Sequence, residues 1–272
     1  MTIDLPLILE PAALAPLLGS ADLLLIDLCR AQNWRQLHLP GAVHCDPYEL
    51  VRGMAPAPGK LPSRQQLEAL FSRIGYATDK HIVVYDDEGG GWAGRFVWLL
   101  DVIGHTRYSY LNGGLYAWYK EQHPLTSEIV PPLPSNVEVS IDRRPTASLD
   151  DVMNAIGNAD IAIWDARSPE EYAGLRSGSA RSGHIPGAVN LDWVECMDRE
   201  QNLKLPSLAI LRGKLAGIGI TPDKQIITHC QSHHRSGLTY LVAKALGHRV
   251  QAYDGSWAEW GNLLETPIDA IV

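Results

Sequence analysis

At 272 residues the chain has room for two domains of ordinary size or one large α/β domain. Hydrophobic residues make up 46% and charged residues 20%, with 24 glycines and 18 prolines spread along the chain, which excludes a disordered, collagen-like or coiled-coil protein. Lys and Arg number 23 against 31 Asp and Glu, a net charge of −8 without any basic run, so general affinity for nucleic acid or anionic membrane is not expected. Met1-Thr2-Ile3-Asp4-Leu5 has no basic n-region, and no stretch approaches the roughly 20 apolar residues of a membrane span, so a cytoplasmic location is expected. Cys29, Cys45, Cys196 and Cys230 contain no C-x-x-C pair and are too few for a disulfide scaffold, which reads as reduced thiols.

In chain order, the first half offers a short apolar run at Leu24–Asp27, a His-x-Pro-Gly-Ala-Val element at His38–Val43, and a second apolar run at Val83–Asp86. Ile103-Gly104-His105 and Asn112-Gly113-Gly114-Leu115-Tyr116-Ala117-Trp118 follow. Every one recurs, at Ala162–Asp165, His184–Val189, Ile227–Cys230, Leu246–His248 and Asp254–Trp260, so the chain is two copies of one fold in tandem. The spacing between copies grows before His184, which marks an insertion at Gly174–Gly183, rich in Gly, Ser and Arg and read as an exposed loop. Between the copies, His123–Ala147 carries Pro124, Pro131, Pro132, Pro134 and Pro145 and reads as an extended connector. The expected organisation is therefore a first domain at 1–122, a linker at 123–147 and a second domain at 148–272.

Within each half, short β-branched runs alternate with longer segments of helical period, which predicts βαβ units and a mainly parallel sheet with helices on both faces. In the second half the strands are predicted at Ile161–Trp164, Gln225–His229 and Arg249–Tyr253, and helices at Leu208–Ala216, Gly237–Ala245 and Ser256–Leu263. Cys230 then falls at the carboxyl end of a strand, where ligands of such sheets bind.

The segment from His229 to Gly237 runs from that strand into a helix and places Cys230 just before a helix N-terminus. The helix dipole, loop N–H groups and Arg235, with His233 or His234 if protonated, all favour the thiolate, so a lowered thiol pKa is expected for Cys230.

These residues carry a resemblance. The loop Cys230-Gln231-Ser232-His233-His234-Arg235, the element His184–Val189 and the terminal Asp254-Gly255-Ser256-Trp257-Ala258-Glu259-Trp260, in this order, resemble a tandem-domain rhodanese, a thiosulfate:cyanide sulfurtransferase of the bacterial type with a Cys-Gln-Ser/Thr-His-His-Arg loop. The resemblance implies two rhodanese-like domains and a ping-pong cycle in which Cys230 takes the outer sulfur of thiosulfate as a persulfide, releases sulfite and passes the sulfur to cyanide or a thiol. Gln231, Ser232, His233, His234, Arg235 and Ser236 would bind substrate and cradle the persulfide, with no cofactor beyond that covalent intermediate and no metal. The partners expected are a small-molecule sulfur donor and acceptor, or a protein or thiol acceptor. The first half has Asp86 where the second has Cys230, so the resemblance implies a silent first domain whose surface forms one wall of the active-site cleft.

Loop length separates this reading from a phosphatase: four residues stand between Cys230 and Arg235, whereas cell-cycle dual-specificity phosphatases use one more to surround a phosphoryl group. The family often carries a basic residue where this chain has Ser232 and an arginine where it has Glu171, so anion binding is expected to rest on Arg235 and backbone donors. A 3-mercaptopyruvate sulfurtransferase ranks second, against its usual Cys-Gly-Ser-Gly-Val loop. A persulfide or selenium carrier for a protein partner, and a structural or regulatory module, are the readings from other classes. Zinc held by Cys230, His233 and His234 lacks a fourth ligand. Cys29, Cys45, Cys196, His229, Trp257 and Trp260 read as core, Gly89–Gly91 as a turn, and Asp27 and Asp165 as hydrogen-bond acceptors for loop backbone. Arg167 either pairs with a carboxylate or faces the cleft.

Overall fold

The computed structural model describes residues 4–271; Met1, Thr2 and Ile3 of the N-terminal stretch read above lie outside the described residues. The first half forms β1 (Ile8–Leu9), β2 (Leu23–Asp27), β3 (Val43–His44), β4 (His81–Tyr85) and β5 (Tyr108–Leu111), and the second forms β6 (Thr146–Ala147), β7 (Ile161–Asp165), β8 (Val189–Asn190), β9 (Gln225–His229) and β10 (Val250–Tyr253). Each set makes one five-stranded sheet, ordered β1-β5-β4-β2-β3 and β6-β10-β9-β7-β8, with every pairing parallel. The identical order is the structural form of the sequence repeat.

Successive residues of a strand point to opposite faces, so β4, buried at all five positions, is covered on both sides. The helices that flank the sheets are α1 (Pro11–Leu14), α2 (Ala31–Gln36), α3 (Arg64–Arg73), α4 (Gly91–Val102), α5 (Gly114–Lys120), α6 (Leu149–Ala155), α7 (Pro169–Ala173), α8 (Leu208–Gly217), α9 (Arg235–Ala245) and α10 (Ser256–Trp260). Several starts are written in the sequence: Ser63, Ser148 and Ser168 cap α3, α6 and α7 reciprocally with Gln66, Asp151 and Glu171, and Pro169 opens α7. Apolar clusters result among the described residues, such as one around Val83, Tyr85, Leu111 and Trp118 and another around Ile163, Ile227, Trp257 and Trp260. No helix among the described residues is long and apolar enough to cross a membrane.

Some predicted boundaries move. α9 begins at Arg235 and not Gly237, because its first turn faces the loop of Cys230 and carries polar residues that the apolar pattern misses. α10 stops at Trp260 and not Leu263, with Gly261, a weak helix former, at its end. The proline-rich connector has no regular structure from 127 to 142, and its last two residues, Thr146 and Ala147, are the edge strand β6.

The chain forms two compact units, and neither is contiguous. Unit 1 is made of 4–50, 62–142 and 197–205, and unit 2 of 51–61, 143–196 and 206–271. Each thus includes a short segment from the other half of the sequence. In unit 2 the Leu61 N–H donates to Asp254 Oδ2 at 2.7 Å, and in unit 1 the Leu205 N–H donates to Asn112 Oδ1 at 2.8 Å. Asn112 and Asp254 head the repeated terminal motif, so the repeat extends to how each unit holds its inserted segment.

Candidate active site

In unit 2, β7 and β9 lie side by side and end together, Asp165 opposite His229. From these ends the chain leaves in opposite directions across the sheet, toward β8 and toward β10, which opens the crevice where parallel sheets place their ligands. Cys230 is the first residue beyond β9 and is buried. Its own N–H donates to Ser256 Oγ at 3.4 Å, and its carbonyl accepts the Trp257 N–H at 2.9 Å, while the Ala258 N–H donates to the Gln231 carbonyl at 2.9 Å. The start of α10 therefore fixes the backbone on which the thiol stands.

Burial is the largest influence on the Cys230 thiol and pushes its pKa up. It is outweighed by the Arg235 charge and by hydrogen bonds from the Ser236 hydroxyl, the Ser236 N–H and the Ser232 N–H, so the thiol sits below its ordinary range. Burial pushes the other three thiols up, Cys196 to about 12, with neighbouring carboxylates such as Asp27 beside Cys29 adding to the effect. Only Cys230 among the four has the environment of a nucleophile.

The predicted loop residues are brought together around it. Arg235 opens α9, and its guanidinium grips the Glu171 carboxylate through two bonds, 2.5 and 2.9 Å. Burial pushes the Glu171 carboxyl up, and Arg235 more than compensates, leaving it below the ordinary range. The lone loop cation expected to bind anions is thus already engaged by the acidic residue at the family's arginine position. Arg176, from the inserted loop and largely exposed, stands 3.9 Å from the same carboxylate. His233 is fully buried with φ +56°, and its Nδ1 lies 2.8 Å from Ser236 Oγ. His234 caps α9 and packs against the Trp193 ring at 5.6 Å. Gln231 turns toward the inserted loop, where its Nε2 donates to Ser179 Oγ at 3.1 Å.

Below the loop, Asp165 Oδ1 accepts the Arg167 N–H at 3.0 Å, and its Oδ2 accepts the guanidinium at 2.6 Å. Arg167 is buried there with its guanidinium 4.3 Å from the Trp257 ring, so it pairs with a carboxylate and does not face open solvent. The His229 ring is buried, 3.7 Å from Asp165, and burial pushes its pKa down.

Unit 1 repeats the loop with a different occupant. Asp86 follows β4 as Cys230 follows β9, and its carboxylate accepts four N–H groups: Glu88 and Gly89 at 3.1 Å, Gly90 at 2.9 Å and Ala93 at 3.0 Å. Gly89–Gly91 is thus a turn whose amides close on an internal anion. Gly89 at φ +100° corresponds to His233 at +56°, and Gly114 at +57° to Ser256 at +52°, so both copies share the left-handed positions. Burial and Glu88 push the Asp86 carboxyl up to about 6 against the pull of the amides. Asp86→Ala should lower the unfolding free energy by about 3 kcal/mol, because several buried N–H groups lose their acceptor together. Denaturant unfolding followed by fluorescence checks it.

Two contributors to the site were not visible in the sequence. Ser256 belonged to a recognised motif but had no assigned role until its oxygen was seen to hold the Cys230 amide. Gly59 lies far from the loop in sequence, yet a Cβ there would stand 2.1 Å from the Ser232 carbonyl oxygen. The segment 51–61 therefore presses its backbone on the loop, with Lys60 paired to Glu259 beside it. Gly59→Ala should push Ser232 out of place and cost about 1–3 kcal/mol of stability. It should also lower the rate at which Cys230 reacts, and thermal melting together with thiol alkylation would register both.

The rhodanese-like domain family matches residues 10–121 and 148–263. A protein of Azotobacter vinelandii named thiosulfate sulfurtransferase is 53% identical over 267 residues, 98% of each chain. One of the same name from Pseudomonas aeruginosa is 50% identical over the same share. The crystal structure of SseA from Escherichia coli, described with the "Rhodanese" fold and catalytic mechanism of 3-mercaptopyruvate sulfotransferases, superposes with a TM-score of 0.83 at 28% identity over 93% of this chain and 99% of that one. With two matched copies that fall one in each half and share one sheet order, the chain belongs to the rhodanese family as a tandem of its domain.

Proposed function

We propose that this chain is a thiosulfate sulfurtransferase that carries sulfur on Cys230. The observation that supports this most is the pairing of near-full-length relatives of that name with a single thiol held below its ordinary range at a strand end. The Cys230 thiolate attacks the outer sulfur of thiosulfate, the sulfur–sulfur bond of the donor breaks with its electron pair leaving on sulfite, and a cysteine persulfide remains. Cyanide, or a thiolate, then attacks the terminal sulfur, and the electron pair of the breaking bond returns to Cys230. The N–H groups of Ser232 and Ser236 and the Ser236 hydroxyl, which help to hold the thiol below its ordinary range, would stabilise the negative charge of the persulfide. Asp86 offers no such sulfur and fills its own loop, which supports a silent first domain.

Thiosulfate alone should release one sulfite per chain and raise the protein mass by one sulfur atom, and added cyanide should then appear as thiocyanate. The second reading, 3-mercaptopyruvate as donor, draws on the likeness to SseA. Turnover confined to mercaptopyruvate would replace the first reading by the second.

A further inference from the structure

The two copies differ in what lies against α5 and α10. In unit 2 the inserted segment 174–183 packs on α10: Gln231 Nε2 donates to Ser179 Oγ at 3.1 Å, and the Ser179 hydroxyl donates to the Trp257 carbonyl at 3.0 Å. The Trp257 indole donates to the Arg181 carbonyl at 3.1 Å, and the Ala180 N–H donates to Asn262 Oδ1 at 2.9 Å. Gly261 makes room for the segment, since a Cβ there would stand 2.8 Å from Ser179 Cβ. Unit 1 has no such insertion and passes from α2 through Leu37 directly to His38. By the sequence repeat, Asp87 stands for Gln231, Leu115 for Trp257 and Tyr119 for Gly261. These three residues, with Asn33, Leu37 and Tyr116, line an open cavity of about 250 Å³. A second cavity of about 360 Å³ shares Tyr119 with the first and continues it to His123, which makes a groove long enough for an extended segment of chain.

The chemistry of the groove selects its occupant. Leu37, Tyr116 and Tyr119 are exposed there, a grouping of large apolar side chains around one polar residue that marks a binding surface. Among the described residues that line the first cavity, Asp87 alone carries a charge. Its two hydrogen bonds, from the Arg30 N–H at 3.3 Å and from Asn33 Nδ2 at 2.5 Å, both fall on Oδ2. Where the Gln231 amide of unit 2 can donate to a serine, a carboxylate only accepts, so the occupant must bring a donor, and a cation suits it best. Lys120 borders the second cavity, so the cation belongs at Asp87 and not beyond Tyr119. We propose that unit 1 docks an extended segment of another protein in this groove, with a lysine or arginine against Asp87 and small or apolar residues over Leu115, Tyr116 and Tyr119, as unit 2 docks its own insertion. A second copy of this chain suits the groove less well, because its insertion has a serine at this point and is already engaged in its own unit. The site lies wholly in unit 1 and does not depend on Cys230 being the sulfur carrier.

The test uses the full chain and fluorescently labelled peptides with the sequence of residues 174–183, bound and read by anisotropy. A peptide carrying Ser179→Lys should bind at least about tenfold more tightly than one carrying Ser179→Glu, since the carboxylate attracts the first and repels the second. In Asp87→Asn that ratio should fall to about twofold or less. In Tyr119→Ala both peptides should weaken several-fold through lost apolar contact. Both variants should melt close to wild type, because Tyr119 is exposed and asparagine keeps an acceptor oxygen for Arg30. Absence of binding, a lysine preference that survives Asp87→Asn, or affinity unchanged by Tyr119→Ala would overturn the proposal. Dimerisation of the chain at rising concentration that Asp87→Asn abolishes would overturn it too, by making a second copy the occupant.

Discussion

Cys230→Ser is expected to lose sulfur transfer by at least about a thousandfold while remaining folded. Serine is nearly the same size, so the buried site and the contacts of the loop backbone to Ser256 and Trp257 should survive. What is lost is chemical. A hydroxyl is far less acidic than a thiol, so Arg235 and the Ser236 and Ser232 donors that hold the sulfur below its ordinary range have no anion to stabilise at neutral pH. Oxygen also cannot carry the transferred sulfur as a persulfide. Cys29, Cys45 and Cys196 serve as internal controls: all are buried and their thiols are pushed up, so changing each to serine in turn should leave the mass gain of one sulfur on thiosulfate treatment intact. Thiocyanate release and intact-protein mass together check the expectation. Persistent transfer in Cys230→Ser would move the carrier elsewhere.

The internal repeat made much of this legible in advance. Two copies of one motif series announced two like sheets, and the residue after β9 was recognisable as a candidate because β9 is a largely buried run that a cysteine follows directly. Asp27 and Asp165 could be read as backbone acceptors for the same reason: identical side chains at equivalent strand ends, which in the structure accept the N–H of Cys29 and of Arg167. Gly59 was opaque because it acts by absence. The close approach of its backbone to the Ser232 carbonyl leaves no local pattern, only a position where a side chain would not fit. The inclusion of 51–61 in unit 2 was hidden likewise, since that segment has neither strand nor helix to give a period. Glu171 was noticed as the wrong charge at its position, but its effect required distance: only the bidentate geometry shows that it engages the cation on which anion binding was expected to rest.

That pair sets the second large effect. Arg235→Leu should raise the Cys230 thiol midpoint, since the cation is the strongest of the influences that hold it down. The deficit in persulfide formation should therefore be greatest at acid pH and shrink as the pH rises through the new midpoint, where even the unassisted thiol ionises. The same change strands a carboxylate whose side chain is 8% exposed, and the loss of its partner should cost about 2–3 kcal/mol. The sign with pH follows from Glu171. Its folded pKa lies below the ordinary value, so the pair contributes stability above about pH 4 and loses it as pH falls further. Wild type and Arg235→Leu should accordingly differ fully at neutral pH and converge in acid, a comparison that denaturant melts at two pH values can make. Glu171→Gln acts in the other direction. It leaves Arg235 in place through one remaining hydrogen bond but removes the charge that neutralises it, so the site gains a net positive charge close to the thiol. The Michaelis constant for the thiosulfate dianion should then fall several-fold, with the gain fading at high salt, as expected of a charge effect near solvent. A rise in that constant would mean that Glu171 matters for the placement of Arg235 more than for its charge, and that the cation must be clamped to serve the sulfur at all.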